Sequence, residues 1–383
     1  MTSGPLEGVK VVDLSVMISG PLATMMLADQ GAEVIKVESP GLGDLMRYLG
    51  STRNGMGALF ALCNRGKRSI VLDLKADDGR AALWELLADA DVVVQNFRPG
   101  AMDRLGFGYD AVQAVNPGIV FLSISGFGTN GPYAGKRVYD NVVQGYSGWA
   151  GVQGGPGDPA LLRTLVCDKV TAYTNAQAIT AALFARTKTG VGQHIEVAML
   201  DATVAFLWPD SAMDIAMLED DVVRRPTIGA GYNALPMADG FATTGAVSDS
   251  EFQGLCRALG RDDVAEDPRF ASLPDRIANI AALAEANLQA SAAKITVDDF
   301  IAACDEHDVP AAPLRPLGAL AEDPQAIENA IFEIIDHPVI GRVRDARPAP
   351  TFSGTPAQIG APAPTLGQHT DEVLAELRAS RAR

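Results

Sequence analysis

The strongest constraint on the fold is an alternation near the start of the chain. Val9–Leu14 is short, apolar and β-branched, the signature of a buried strand. Ser19-Gly20-Pro21 then opens a helix that runs to about Gln30 and stops at Gly31. A second strand, Glu33–Glu38, follows. A strand, helix and strand in about 30 residues make one unit of a parallel sheet. The pattern recurs with strands at Ser69–Leu74, Asp91–Gln95 and Ile119–Ile124, and a helix over Asp77–Ala88. Such repetition predicts a Rossmann-like, doubly wound α/β domain. Further on, Asp168–Arg186 and Ala202–Met217 read as helices, and Gln193–Met199 as a strand.

The chain has 383 residues, too many for one core, so a second domain is expected. Composition shifts at Val222–Pro236, rich in Gly, Pro and Arg. A strand at Gly240–Thr244 and helices at Ser250–Leu259, Asp275–Ala292 and Val297–Cys304 suit a smaller α+β domain. The expected division is 1–221 for the large domain, 222–325 for linker and small domain, and 326–383 for a C-terminal return. A last helix is expected over Thr370–Ala379, with Asp371 and Glu372 in its first turn.

The net charge of −16 disfavours a general nucleic-acid or anionic-membrane binder. No stretch reaches the roughly 20 apolar residues of a membrane span. Met1–Lys10 does not read as a secretory signal, and the four cysteines are unpaired in spacing. Both features predict a cytoplasmic protein without disulfides. The histidines are equally scattered, so no metal site is expected.

Against this acidic background, basic residues gather in three places: Asn64–Ser69 with Lys75, Asn96–Gly100 with Arg104, and Lys136–Asp140. Arg grips phosphate with two parallel hydrogen bonds and Lys adds point charge, so the three together suggest a polyanionic ligand. Taken singly, each reads as a solvated turn. Phe97 and Tyr139 offer flat faces for an adenine. The turn Ser15–Pro21 ends a strand and opens a helix, where free N–H groups attract anions. It lacks both G-x-G-x-x-G and the P-loop pattern, so local pattern alone favours a simple connection. The glycine-rich stretches Gly126–Pro132 and Gly148–Gly157 read as turns, with a lid as the alternative.

Asp168 follows the apolar run Leu165-Val166-Cys167 at the start of a helix. Local pattern favours a helix cap, whose loss costs about 1 kcal/mol. A carboxylate nucleophile held at a helix N-terminus is the functional alternative, and both roles are compatible. Cys167 beside it reads as a small buried hydrophobe.

Taken in order, these segments resemble the class III CoA-transferases, the family of formyl-CoA and carnitine CoA-transferases. The likeness spans nearly the whole chain. It is carried by Gly8–Leu14 with Gly20-Pro21, Gly31–Glu38, Asn64–Lys75, Asn96–Gly100, Gly126–Pro132, Tyr139–Asn141, Gly190–Gln193 and Pro364–Glu372. The resemblance implies Asp168 as nucleophile. It places Ile18, Ser19, Ser39, Leu72, Asp73, Leu74, Lys75, Asn96, Phe97, Arg98, Arg104, Lys136, Arg137, Val138 and Tyr139 around coenzyme A. Ser39 stands where some members carry Arg, and Ile18 where formyl-CoA transferases carry Gln. A four-glycine loop is missing after Ile228. The Ile18 departure and the missing loop argue against oxalate and formyl-CoA, and at Ser39 the Arg contact is expected to be lost.

The resemblance further implies an interlocked, ring-like homodimer. Its substrates would be an acyl-CoA and a carboxylic acid, with no tightly bound cofactor. The α-methylacyl-CoA racemases share the overall pattern. They use a His where this chain has Tyr139, and no His precedes His194. A Tyr of ordinary pKa near 10 is a poor base at neutral pH. A CoA-binding sensor without catalysis and a nicotinamide-dependent dehydrogenase are the remaining alternatives. The missing glycine fingerprint argues against the dehydrogenase.

Overall fold

A computed structural model describes residues 4–155 and 157–381. The first residues of the N-terminal segment and Pro156 of the second glycine-rich stretch lie outside them. The chain divides into two compact units, Met1–Ala216 with Ile327–Arg383, and Met217–Ala326.

The first unit is built on six parallel strands: β1 (Lys10–Asp13), β2 (Glu33–Glu38), β3 (Lys67–Val71), β4 (Val92–Gln95), β5 (Val120–Ser125) and β6 (Gln193–Ala198). Their order is β3-β2-β1-β4-β5-β6. The direction of winding reverses between β1 and β4, and ligands of open α/β sheets bind beyond the carboxyl ends of strands at such a point. The inner strands β1, β4 and β5 are covered on both faces and read as largely apolar runs, whereas the edge strand β6 is mostly exposed and mixed in polarity.

Adjacent residues of a strand point to opposite faces. Val11, Val92, Val94 and Leu122 pack with Leu27 of α1 (Ser19–Asp29) and with Ile179, Ala182 and Leu183. On the other face, Val12, Val93 and Phe121 pack with Leu83 and Leu87 of α2 (Asp77–Asp89), and with Val112 and Val373. Two short helices, α3 (Ala101–Leu105) and α4 (Tyr109–Val115), follow β4. After β5 come α5 (Asp140–Tyr146), α6 (Trp149–Gly154) and the long α7 (Val166–Thr189); α8 (Met199–Ser211) follows β6. The helix carrying Asp168 thus begins two residues earlier than its sequence suggests, and α8 spans Met199–Ser211 rather than Ala202–Met217.

The C-terminal segment completes the sheet edge at β3. His369 N–H donates to Ser69 O at 2.9 Å, and Ser69 N–H donates to His369 Nδ1 at 3.1 Å. Val71 N–H donates to Thr370 Oγ1 at 3.0 Å, and Arg68 pairs with Glu372 and Glu376. The last helix runs over Thr370–Arg381. A hairpin of Phe332–His337 and Gly341–Ala346 precedes it, unforeseen in the sequence.

The second unit has a three-stranded antiparallel sheet of Leu235–Pro236, Phe241–Thr244 and Ala311–Pro313, with helices including Asp249–Ala258 and Val297–Glu306. The single helix expected over Asp275–Ala292 is three pieces: Leu273–Ala278, Ile280–Glu285 and Leu288–Ala292. Asn279 leaves helical geometry at the first break, and Asn287 is left-handed (φ 46°) at the second. Asn tolerates that conformation better than most residues. Among the described residues, no helix is long and apolar enough to cross a membrane.

Candidate active site at the first strand–helix turn

The turn between β1 and α1 is fixed from three sides. Asp13, wholly buried at the end of β1, accepts the Ser15 N–H at 2.9 Å and the Ser15 hydroxyl. Asn96, just beyond β4, clamps Val16, accepting its N–H at 2.9 Å and donating to its carbonyl at 2.7 Å. Asp44 accepts the Met17 N–H at 3.2 Å. Met17 needs that support, because its φ of 64° is sterically poor for a residue with a long side chain.

Below the turn lies a buried ionic network. Lys67 Nζ donates to Asp13 Oδ2 at 3.0 Å, Pro21 O at 2.8 Å and Asn64 Oδ1 at 2.8 Å. Lys36 Nζ donates to Ser15 O at 2.8 Å and pairs with Asp44 at 3.0 Å. Burial and the neighbouring Lys36 push Lys67 down to about 8, despite Asp13 beside it. Three acceptors complete its shell, so it remains an ammonium at neutral pH.

The turn delivers Ser19 to Asp168. The Ser19 hydroxyl donates to Asp168 Oδ1, and Asn175 Nδ2, two turns further along α7, donates to Ser19 O at 3.2 Å. Asp168 lies inside the first turn of α7, with Leu165 as the flanking residue, so it is not the cap. Its own N–H donates to Asp140 Oδ2 at 3.0 Å. Burial raises Asp168 to about 6; the Ser19 bond opposes the rise and the Asp140 charge adds to it. At neutral pH it is an anion that has lost much of its hydration, which makes it a competent nucleophile.

Gly20 is required here. A Cβ on it would lie 2.2 Å from Ser15 Oγ, which Asp13 holds in place. Gly20→Ala should therefore cost about 1–3 kcal/mol and slow transfer by displacing Ser19. A urea midpoint and a rate measured on the same preparation check both effects.

The three basic groups of the sequence have different fates. In the first, Arg65 pairs with Asp29 at 2.7 Å and Asp345 at 2.6 Å, Lys67 is buried, and Arg68 holds Glu33, Glu372 and Glu376. Its cations serve the fold, which corrects the reading of Asn64–Ser69 as ligand-binding. By contrast, Lys75, Arg98, Arg104, Lys136 and Arg137 are exposed. None has a carboxylate partner among the described residues. Lys75, Arg98 and Lys136–Arg137 follow β3, β4 and β5 in turn, so topology brings them to the carboxyl edge of the sheet. Lys136 Nζ lies 3.9 Å from the Tyr133 ring and donates to Tyr146 OH at 2.8 Å. Tyr139 is 65% exposed.

The other sequence candidates are placed as follows. Ser39 is exposed after β2. Asp73 is exposed and accepts the Lys75 N–H at 2.9 Å. Leu72 is buried, while Leu74 and Phe97 pack against the same core. Ile18 is buried among Met46, Met56 and Phe60, so its side chain faces the core. Val138 packs on Val143, Cys167 and Met199. A cleft of about 520 Å³ opens beside Phe97, Arg98, Ser125, Phe127, Asn130 and His194. Asp168 does not line it.

The same chain compares closely with known proteins. The profile of CoA-transferase family III matches residues 6–370. The chain is a family III CoA-transferase. The transferase is 36% identical over 388 residues to the succinate–glutarate CoA-transferase of Agrobacterium fabrum, covering 97% of this chain and 96% of that one. It is 37% identical to the acetyl-CoA:oxalate CoA-transferase of Acetobacter aceti, covering 86% of each. Among solved structures, a CaiB/BaiF family protein from Brucella suis superposes with a TM-score of 0.84 at 34% identity, covering 98% of this transferase and 100% of that chain.

Sequence reasoning missed Asp140, the Ser19 contact and the ionic network. A visible signal existed for the network: Asp13 and Lys36 are charges inside strands that otherwise read as buried.

Proposed function

We propose that this transferase carries CoA between short carboxylic acids of the succinate and glutarate class through covalent intermediates on Asp168. The observation that carries the proposal is a desolvated carboxylate at the first turn of a long helix, held by Ser19 from the turn where the sheet reverses direction. The likeness over nearly the whole chain to the succinate–glutarate CoA-transferase of Agrobacterium fabrum supports the substrate class.

In this mechanism an Asp168 oxygen attacks the thioester carbonyl, the C–S bond breaks, and CoA leaves as a thiolate. The product is a mixed anhydride. The thiolate then attacks Asp168 Cγ, the anhydride C–O bond breaks, and the donor acid departs as a carboxylate. An aspartyl-CoA thioester remains. The acceptor carboxylate reverses both steps and restores Asp168. One difficult transfer becomes several easier ones, each preserving an activated acyl bond.

For CoA, we propose that Lys75, Arg98, Arg104, Lys136 and Arg137 receive the phosphates, with Phe97 or Tyr139 against the adenine. Ser39, Leu72, Asp73 and Leu74 would border the nucleotide; Ile18, Ser19, Asn96 and Val138 would shape the thioester end. The Rossmann-like reading of the sheet, the assignment of CoA binding to the large unit, and an interlocked homodimer belong to the same proposal. Tyr173, Phe184, Phe206 and Trp208 on α7 and α8 are more than half exposed, which favours burial against a second copy.

Incubation with succinyl-CoA or glutaryl-CoA and hydroxylamine should leave a hydroxamate on the peptide carrying Asp168, found by mass spectrometry. Turnover without that mark, or with it on another carboxylate, would refute the assignment.

A further inference from the structure

Asp140 is the first residue of α5 and is 3% exposed. Its Oδ2 accepts the Asp168 N–H at 3.0 Å, and its Oδ1 accepts Gln144 Nε2 at 2.6 Å. Gln144 is buried as well. Its Oε1 accepts the Leu162 N–H at 2.8 Å, and its Nε2 lies 3.2 Å from Leu162 O and 3.3 Å from Thr164 O. The pair therefore grips the chain just before α7 and the first turn of α7 itself. Leu165, which flanks that helix, offers no side-chain cap. Asp140 supplies from a neighbouring helix what the local sequence lacks.

A neutral acceptor would cap the helix equally well. The use of a carboxylate places a second negative charge beside Asp168, and like charges disfavour ionisation. That repulsion disappears whenever Asp168 becomes an acyl anhydride or a thioester, because both forms are neutral at that position.

We propose that Asp140 is a positioning residue for the transfer, fixing the backbone under Asp168 and raising the energy of its resting carboxylate relative to the acylated forms. The inference rests on Asp168 being the nucleophile. The other groups around Asp168 do not supply this charge. From α1 comes the neutral Ser19 hydroxyl. On α7 itself Cys167 is a buried thiol pushed up to about 12 by burial, and Lys169 donates to Thr164 Oγ1 at 2.7 Å. The first turn of α8 carries Asp201, and β6 carries His194 and Glu196; all three line the cleft that Asp168 does not line.

The test compares Asp140→Asn, which removes charge but keeps an acceptor, with Gln144→Leu, which removes support but keeps charge. The Asp168 carboxyl is followed by 13C NMR in aspartate-labelled protein, assigned by its loss in Asp168→Asn. In Asp140→Asn the Asp168 midpoint should fall from about 6 by about one pH unit, equivalent to about tenfold less hydroxamate at fixed acyl-CoA. In Gln144→Leu the midpoint should stay in place. Asp140→Ser, a second neutral acceptor, replaces Asn if that variant does not fold. An unmoved midpoint in the neutral variants, or an equal fall in Gln144→Leu, overturns the proposal. A wild-type protein that turns over without a hydroxamate on Asp168 defeats the nucleophile assignment instead, whatever the titration shows.

Discussion

Asp168→Asn should abolish CoA transfer and make the protein more stable. The loss of rate should be at least about 10³-fold, as expected when a covalent nucleophile is removed. The gain in stability follows from linkage. The Asp168 carboxyl titrates at about 6 in the folded chain against an ordinary 3.8. The native state therefore holds its proton more tightly than the unfolded chain, and stability falls as pH rises from about 4 to about 6. Above that window the ionised group costs about 2 kcal/mol, allowing for partial exposure. Asn still accepts the Ser19 hydroxyl, so the cost is removed without leaving a donor unpaired. Urea midpoints should differ at pH 7 and converge near pH 4. An equal or lower midpoint for the variant at pH 7 would show that the site does not strain its carboxylate.

Asp13→Ala should do the reverse, costing about 3–5 kcal/mol. Asp13 accepts from Ser15, Thr24 and Lys67, and all four residues are buried. Removing it leaves the Lys67 ammonium short of its counter-charge and frees the turn that carries Ser19. Burial would raise the Asp13 pKa, yet Lys67 and Lys36 together hold it well below the ordinary carboxylate range. A depressed pKa contributes stability that is complete above the unfolded value and is lost as pH falls toward the folded one. The destabilisation of Asp13→Ala should therefore be full at pH 7 and shrink in strong acid. A constant difference between the two proteins across that range would remove the electrostatic account.

Much of the sheet was legible because parallel strands buried on both faces announce themselves as apolar runs. Val11–Leu14, Val34–Val37 and Val92–Val94 needed no tertiary information. The hairpin of Phe332–His337 was not legible, since Glu333 and Asp336 break its apolar pattern and half its surface is open. For the site, Asp168 was visible at a helix start and Ser19 through the family resemblance, while the contacts that Asp168 makes with Ser19 and Asp140 were not. Ser19 is 149 residues away and Asp140 is 28 residues away, so only the packing of α1 and α5 against α7 joins them. The basic residues show the same limit. Arg65 and Arg98 look alike in sequence, and only the fold reveals that one is neutralised by Asp29 and Asp345 while the other faces solvent.

The pairing of β3 with His369 and Thr370 has a consequence for how the protein is made. The edge of the sheet is closed by residues some 300 positions downstream, so it remains open throughout synthesis of everything between them. Unpaired strand edges recruit other chains. Residues 217–326 emerge whole during that interval and can fold as a unit, whereas the first unit must wait for its final helix. That edge is closed when His369 and Thr370 have been made and docked, not when the sheet itself has been made.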